Sequence, residues 1–212
     1  MGVKKSILVC FIGTDGSGKS TLAKEAAKAY KKRFKAGVSS IYFGWKPFLP
    51  STKIISYLFK RKNYRIAESM NRKHAGFSLL QEAMLFYYYL EYLARYAVKI
   101  APNFYKKKII VADRYFYDMF AHYSYASKSV LFKKLLRMFP SPDFTFFLDI
   151  DAKTAKKRKP EMDINLIKMH RSRYLALSKI MKLEVINTRK GIGKCLESVM
   201  RITESRIAKM LK

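Results

Sequence analysis

A lysine, a hydroxyl and three glycines at fixed spacing are what a protein needs to grip a chain of phosphates. Gly13-Thr14-Asp15-Gly16-Ser17-Gly18-Lys19-Ser20, with Thr21 following, supplies them in the pattern G-x-x-x-x-G-K-[ST]. The glycines let the backbone bend and approach a ligand closely, so that loop N–H groups point at the phosphates. Lys19 would reach the β- and γ-phosphates of ATP, and the Ser20 hydroxyl would hold Mg²⁺. Such a loop must sit between a strand and a helix. Residues 7–12 form a short apolar run suited to a buried strand, and Leu22, Ala26, Tyr30 and Phe34 recur at helical spacing after it.

Other chemistry-bearing residues fall at predicted element ends. The stretch 108–112 reads as a strand that ends in Asp113-Arg114-Tyr115. A carboxylate there, beside a P-loop, is placed to direct Mg²⁺, which makes Asp113 the second metal candidate after Ser20. The strand read over 38–43 runs into Gly44-Trp45-Lys46-Pro47. Ligands collect at the carboxyl ends of strands in open α/β sheets, so Trp45 is either a ligand platform or a loop anchor. The segment 152–159 is a short basic helix holding Lys153, Lys156, Lys157, Arg158 and Lys159. It reads as a solvated basic face.

Composition narrows the class. Half of the 212 residues are hydrophobic, which excludes a disordered chain. No apolar run is long enough to span a bilayer, and residues 1–5 leave no room for a signal peptide before the first strand. Two cysteines, Cys10 and Cys195, do not make a disulfide framework, and a cytoplasmic location is expected. The net charge of +29 would draw nucleotides, polyanions or acidic membranes without specifying which; a basic solvated surface is the other reading.

Helices and strands alternate along the chain. Helices are read over 51–59, from a capping box at Ser78 to about residue 100, over 117–127, 130–139 and 164–181, and from 196 to 211; strands are read over 144–150 and 183–186. The expected architecture is one α/β domain over 1–212: a three-layer sandwich of about five parallel strands with helices on both faces. On the long helix Tyr88, Tyr92 and Tyr96 form a stripe at four-residue spacing. The stripe reads as core, as a subunit interface that would make a homodimer through 78–100, or as a wall of the acceptor pocket.

With these pieces in place, the chain resembles the thymidylate kinase family of nucleoside monophosphate kinases. The P-loop with an acid at Asp15, the Asp113-Arg114-Tyr115 triplet, Pro142-Asp143 before Phe144-Thr145-Phe146-Phe147-Leu148-Asp149, Arg158 at the lid, and Arg171 with Tyr174-Leu175-Ala176-Leu177 carry the likeness over nearly the whole chain. The resemblance implies ATP as donor, Mg²⁺ as cofactor and a small-molecule phosphate acceptor. It implies catalytic roles for Lys19, Arg158 and Asp15, the last bonding an acceptor hydroxyl, and acceptor-phosphate binding by Arg114. It implies the P-loop kinase fold with a short lid around 156–163; Gly16 stands where some members carry an arginine, so the lid would supply that charge. Two departures lie on the acceptor side. Trp45-Lys46-Pro47 stands where the family has Arg-Glu-Pro, and Glu91 and Tyr92, with Arg95 one turn on, stand where it has an Asp-Arg pair that helps read thymine. Trp45, Tyr92 and Arg95 are therefore the acceptor candidates beside Asp15 and Arg114. Two other readings stay open: a kinase of the same fold acting on a nucleoside, a sugar phosphate or a lipid-linked sugar, and an ATP-binding P-loop protein associated with nucleic acid.

Overall fold

The structure is a computed structural model and describes residues 6–34, 36–50, 52–53, 79–106 and 108–210. Five strands form one sheet in the order β2-β3-β1-β4-β5, every pair parallel: β1 Ile7–Gly13, β2 Val38–Tyr42, β3 Ile109–Asp113, β4 Phe144–Asp149 and β5 Glu184–Asn187. All of β1 is buried, as the central strand of such a sheet must be, and its side chains alternate between two cores. Leu8, Cys10 and Ile12 point to one core, and Ile7, Val9 and Phe11 to the other.

The second core is closed by α1 (Lys19–Arg33) and the final helix, so Leu22, Ala26, Tyr30 and Phe34 are all buried as their spacing predicts. The first core is closed by α2 (Leu79–Lys99) and by helices from the second half of the chain. A single turn, α3 (Ala101–Phe104), leads from α2 to β3. The helix read over 51–59, the stretch 60–76 and the cap at Ser78 lie outside the described residues, Thr52 and Lys53 excepted.

Two expectations need correction. The stretch read as one helix over 117–127 is two, α4 (Asp118–His122) and α5 (Ser124–Lys128), because Tyr123 between them takes an extended backbone (φ −107°, ψ 118°). No glycine or proline marks that break. It turns the Tyr123 ring alongside Tyr88, 6.3 Å away between centroids. The final helix begins at Ile192, a turn before the start at Leu196 read from the sequence, after Gly191 (φ 82°) ends a short 3₁₀ turn. The others follow their predicted stretches closely: α6 (Val130–Met138), α7 (Ala152–Arg158), α8 (Ile164–Ile180) and, from Ile192 to Met210, α9. Asp151 caps α7 by accepting from Thr154 N, and Asp163 caps α8 by accepting from Asn165 N and Leu166 N.

Candidate active site

Register decides where the chemistry collects. Phe11 of β1 and Tyr42 of β2 both lie beside Asp113 of β3, and Gly13 lies beside Leu148 of β4. The carboxyl ends of the strands therefore share one edge, and the P-loop rises from it into α1. The loop's backbone is left-handed at Gly16 (φ 82°) and at Gly18 (φ 89°), which caps α1. At Gly16 a glycine is required twice over. A side chain there would be strained by its φ, and its Cβ would stand 2.8 Å from the Ala155 carbonyl oxygen of α7. No arginine fits at that position. Arg158 of α7 stands against the loop at this point and donates to the Gly16 carbonyl at 3.2 Å.

Lys19 is buried, and its ammonium donates to the carbonyls of Gly13 (2.8 Å) and Thr14 (2.7 Å). Burial, helped by Arg114, lowers it to about 8, with Asp15 opposing. Burial pushes the Asp15 carboxyl up, but Lys19 at 3.7 Å and Arg114 at 2.6 Å outweigh it and bring it down to about 2. Asp15 is thus a carboxylate at any neutral pH. Arg114 carries the one left-handed non-glycine backbone among the described residues, φ 70°. Its backbone N–H is held by the Phe11 carbonyl, and its guanidinium lies between Asp15 and Asp118 (3.5 Å). Asp118 is buried and in turn accepts from Tyr174 of α8 at 2.7 Å; burial raises its carboxyl against the pull of Arg114 and Lys19.

Two cavities meet at these groups. The larger encloses about 520 Å³ and is walled by the P-loop from Asp15 to Thr21, by Arg158 and Lys159, and on the far side by Thr188, Ile192 and Cys195. The smaller encloses about 280 Å³, with Tyr42, Trp45, Tyr92 and Tyr123 on one side and Asp118, Met119 and His122 on the other. Asp15 and Arg114 belong to both. A group held in one cavity is therefore within reach of a group held in the other.

The site residues read from sequence come together unevenly. The P-loop from Asp15 to Thr21, Arg158 and Arg114 line the cavities, while Gly13, Thr14 and Asp113 line neither; Trp45 and Tyr92 line the smaller one, although Tyr92 is also core, wedged between Phe43 and Phe116. Arg95 lines neither. It is 2% exposed, and its guanidinium is spent on the carbonyls of Gly44 and Lys46 and on Glu91. Sequence reasoning passed over Tyr42, Asp118, Met119, His122 and Tyr123. Asp118 had a signal, since it follows Arg114 at the spacing of one helical turn; the others become neighbours only through the sheet and the break at Tyr123.

A metal can be tested against the residues present. Ser20 is exposed to the larger cavity, while Asp113 Oδ1 is buried without a hydrogen-bond partner at the adjoining strand end. Thr14 Oγ1 and Ser17 Oγ are likewise buried and unpartnered in the loop. No cluster of three or more metal-ligating side chains occurs among the described residues. That donor set fits Mg²⁺, which keeps its waters and takes one or two protein oxygens beside substrate phosphates.

A parallel sheet in this order, a P-loop at its edge and two cavities joined by Asp15 and Arg114 define a P-loop phosphotransferase of the nucleoside monophosphate kinase type. The sequence model of the Thymidylate kinase family matches residues 51–196, and the chain belongs to that family. It is 30% identical over 183 residues to the thymidylate kinase of Leptospira interrogans serovar copenhageni, covering 85% of this chain and 79% of that protein. It is 27% identical over 190 residues to a probable thymidylate kinase of Methanocaldococcus jannaschii, covering 87% and 88%. The crystal structure of thymidylate kinase from Ehrlichia chaffeensis superposes with a TM-score of 0.63 at 20% identity over 93% of this chain and 98% of that one, which is a likeness of fold.

Proposed function

We propose that the protein transfers the γ-phosphoryl group of ATP to a nucleoside monophosphate, thymidine monophosphate among its acceptors. The observation that carries this reading is the shared wall: the phosphate-gripping cavity and the smaller aromatic cavity both end on Asp15 and Arg114. Phosphoryl transfer asks for positioning and charge neutralisation more than covalent chemistry. ATP would occupy the larger cavity, with its phosphates against the P-loop N–H groups and Lys19. Ser20 and Asp113 would hold Mg²⁺, which supplies charge neutralisation on the phosphate oxygens. Arg158, with the turn 156–163 as a short lid, would cover the transferring group. Arg114 would give up part of its bonding to Asp15 and Asp118 to take the acceptor's phosphate, two of whose oxygens suit its planar fork. Asp15, freed on that side, would accept from a sugar hydroxyl. The family's thymidylate kinases support thymidine monophosphate as the first acceptor to try.

A turnover assay with Mg-ATP and thymidine monophosphate tests the reading. Lys19→Ala should remove turnover, with a loss on the order of 10³-fold or more, while circular dichroism stays native. Near-normal turnover in that folded variant would overturn it. The outward face of α2, where Leu80, Phe86 and Leu90 are exposed, supports a homodimer built on this helix, and sedimentation of the wild-type protein tests it. Among the described residues no helix is long and apolar enough to cross a membrane.

A further inference from the structure

Trp45, the single tryptophan, is 36% exposed and forms part of the acceptor cavity wall, edge-on to Tyr88 at 6.1 Å. It sits on a loop with no strand or helix of its own, so something else must set its position. The loop runs close over the acceptor-binding arginine: a Cβ on Gly44 would stand 2.5 Å from Arg114 Cδ. Two buried side chains of α2 grip this loop. Arg95 donates one guanidinium nitrogen to the Gly44 carbonyl at 2.7 Å and the other to the Lys46 carbonyl, so its fork brackets Trp45 by the peptide on either side. Glu91, fully buried, accepts from the Phe48 backbone N–H at 2.7 Å and from the Thr52 hydroxyl at 3.0 Å. The two are paired to each other at 3.2 Å, one turn apart on the same helix. Arg95 also lies over the Phe48 ring, 5.8 Å from its centroid.

A buried ion pair is a weak source of stability but a strong source of a single geometry. Here the pair's remaining hydrogen bonds go to the Gly44, Lys46 and Phe48 backbone and to the Thr52 hydroxyl. We propose that Glu91 and Arg95 are positioning residues for the acceptor site: they clip Gly44, Lys46, Phe48 and Thr52 to α2 and so hold Trp45 as its wall. The proposal rests on reading the smaller cavity as the acceptor pocket. It also accounts for the charges on this helix without asking either to touch a substrate. Only a planar fork with two separated donors bridges the Gly44 and Lys46 carbonyls; a lysine ammonium keeps the charge and cannot span them.

The test pairs Trp45 fluorescence with kinetics. In Arg95→Lys, Trp45 emission should shift to the red and its quenching by acrylamide should rise, without any substrate present. The KM for thymidine monophosphate should rise on the order of 10- to 10²-fold, the loss an ångström-scale misplacement brings, with the KM for ATP unchanged. Glu91→Gln and Thr52→Val should move both readouts the same way and to a smaller extent, and they decide the matter if Arg95→Lys does not fold. A raised acceptor KM with unchanged Trp45 quenching would overturn the proposal, since Arg95 would then touch the acceptor directly. Altered quenching with unchanged acceptor kinetics would overturn it too, since the loop would not set the site. If the wild-type protein phosphorylates no nucleoside monophosphate, the acceptor assignment falls, and the quenching measurement still decides whether the pair holds Trp45.

Discussion

His170 on α8 and His122 on α4 face each other with ring centroids 4.4 Å apart, and His170 is 5% exposed. His170 Nδ1 and His122 Nε2 are buried without hydrogen-bond partners. Burial, then the neighbouring His122 and Arg173, lower His170 from 6.5 to about 3. Burial, then Arg114, lower His122 to about 4. Both imidazoles are therefore neutral in the folded protein, whereas the unfolded chain takes up protons below 6.5. A folded pKa below the unfolded one in a base means stability is full above 6.5 and is lost as pH falls from there toward the folded values. Each histidine then costs about 1.4 kcal/mol per pH unit in that window. Between about pH 6.5 and pH 5 that is about 2 kcal/mol each and about 4 for the pair, a large share of a typical total of about 5–15 kcal/mol. For a chain of this length the melting temperature should drop by on the order of 10 °C. Asp15, held low, loses its contribution only below the ordinary carboxylate range, and Asp118, raised by burial, opposes the trend on acidification. Both are common to wild type and variant, so the difference isolates the histidine. His170→Phe keeps an aromatic ring in the same place and removes one titrating group. Thermal unfolding followed by circular dichroism at constant ionic strength should show the variant losing about half as much between the two pH values as the wild type. Equal losses in the two proteins would refute the reasoning.

Three further outcomes are expected. Arg114→Ala should raise the acceptor KM and lower kcat while calorimetric ATP affinity stays near wild type; loss of ATP binding would assign Arg114 to the donor side. Gly16→Ala should cost about 1–2 kcal/mol from its left-handed backbone, and by pressing on the Ala155 carbonyl it should lower kcat as α7 and Arg158 move off; an unchanged kcat would detach Arg158 from catalysis. If the smaller cavity takes the acceptor as proposed, Trp45 on its wall and Arg95 turned away from it should give a preference for thymidine monophosphate over other pyrimidine monophosphates well under the ~10⁴-fold that a hydrogen-bonding pocket reaches. Comparison of kcat/KM under identical Mg-ATP measures this, and a larger preference would mean that polar recognition has been rebuilt by other residues.

The donor half was legible in one dimension because its parts are local. A P-loop is eight consecutive residues whose spacing is its geometry, and Ile7–Gly13 and Lys19–Arg33 carry their own unbroken apolar run and helical pattern on either side. The parallel sheet followed from the alternation of such runs, and Asp113-Arg114 stood out because a strand end is recognisable by itself. The acceptor half was not local. Tyr42, Trp45, Tyr92, Asp118 and His122 come from three distant segments, joined only when β2 and β3 pair in register and α2 packs across them. Arg95 shows the difference most clearly. On paper it is a free cation on a helix, one turn from Glu91 and Tyr92. In the folded chain the carbonyls of Gly44 and Lys46 reach it first, because a buried guanidinium takes whatever acceptors the packing brings, and a loop on a neighbouring element brings two.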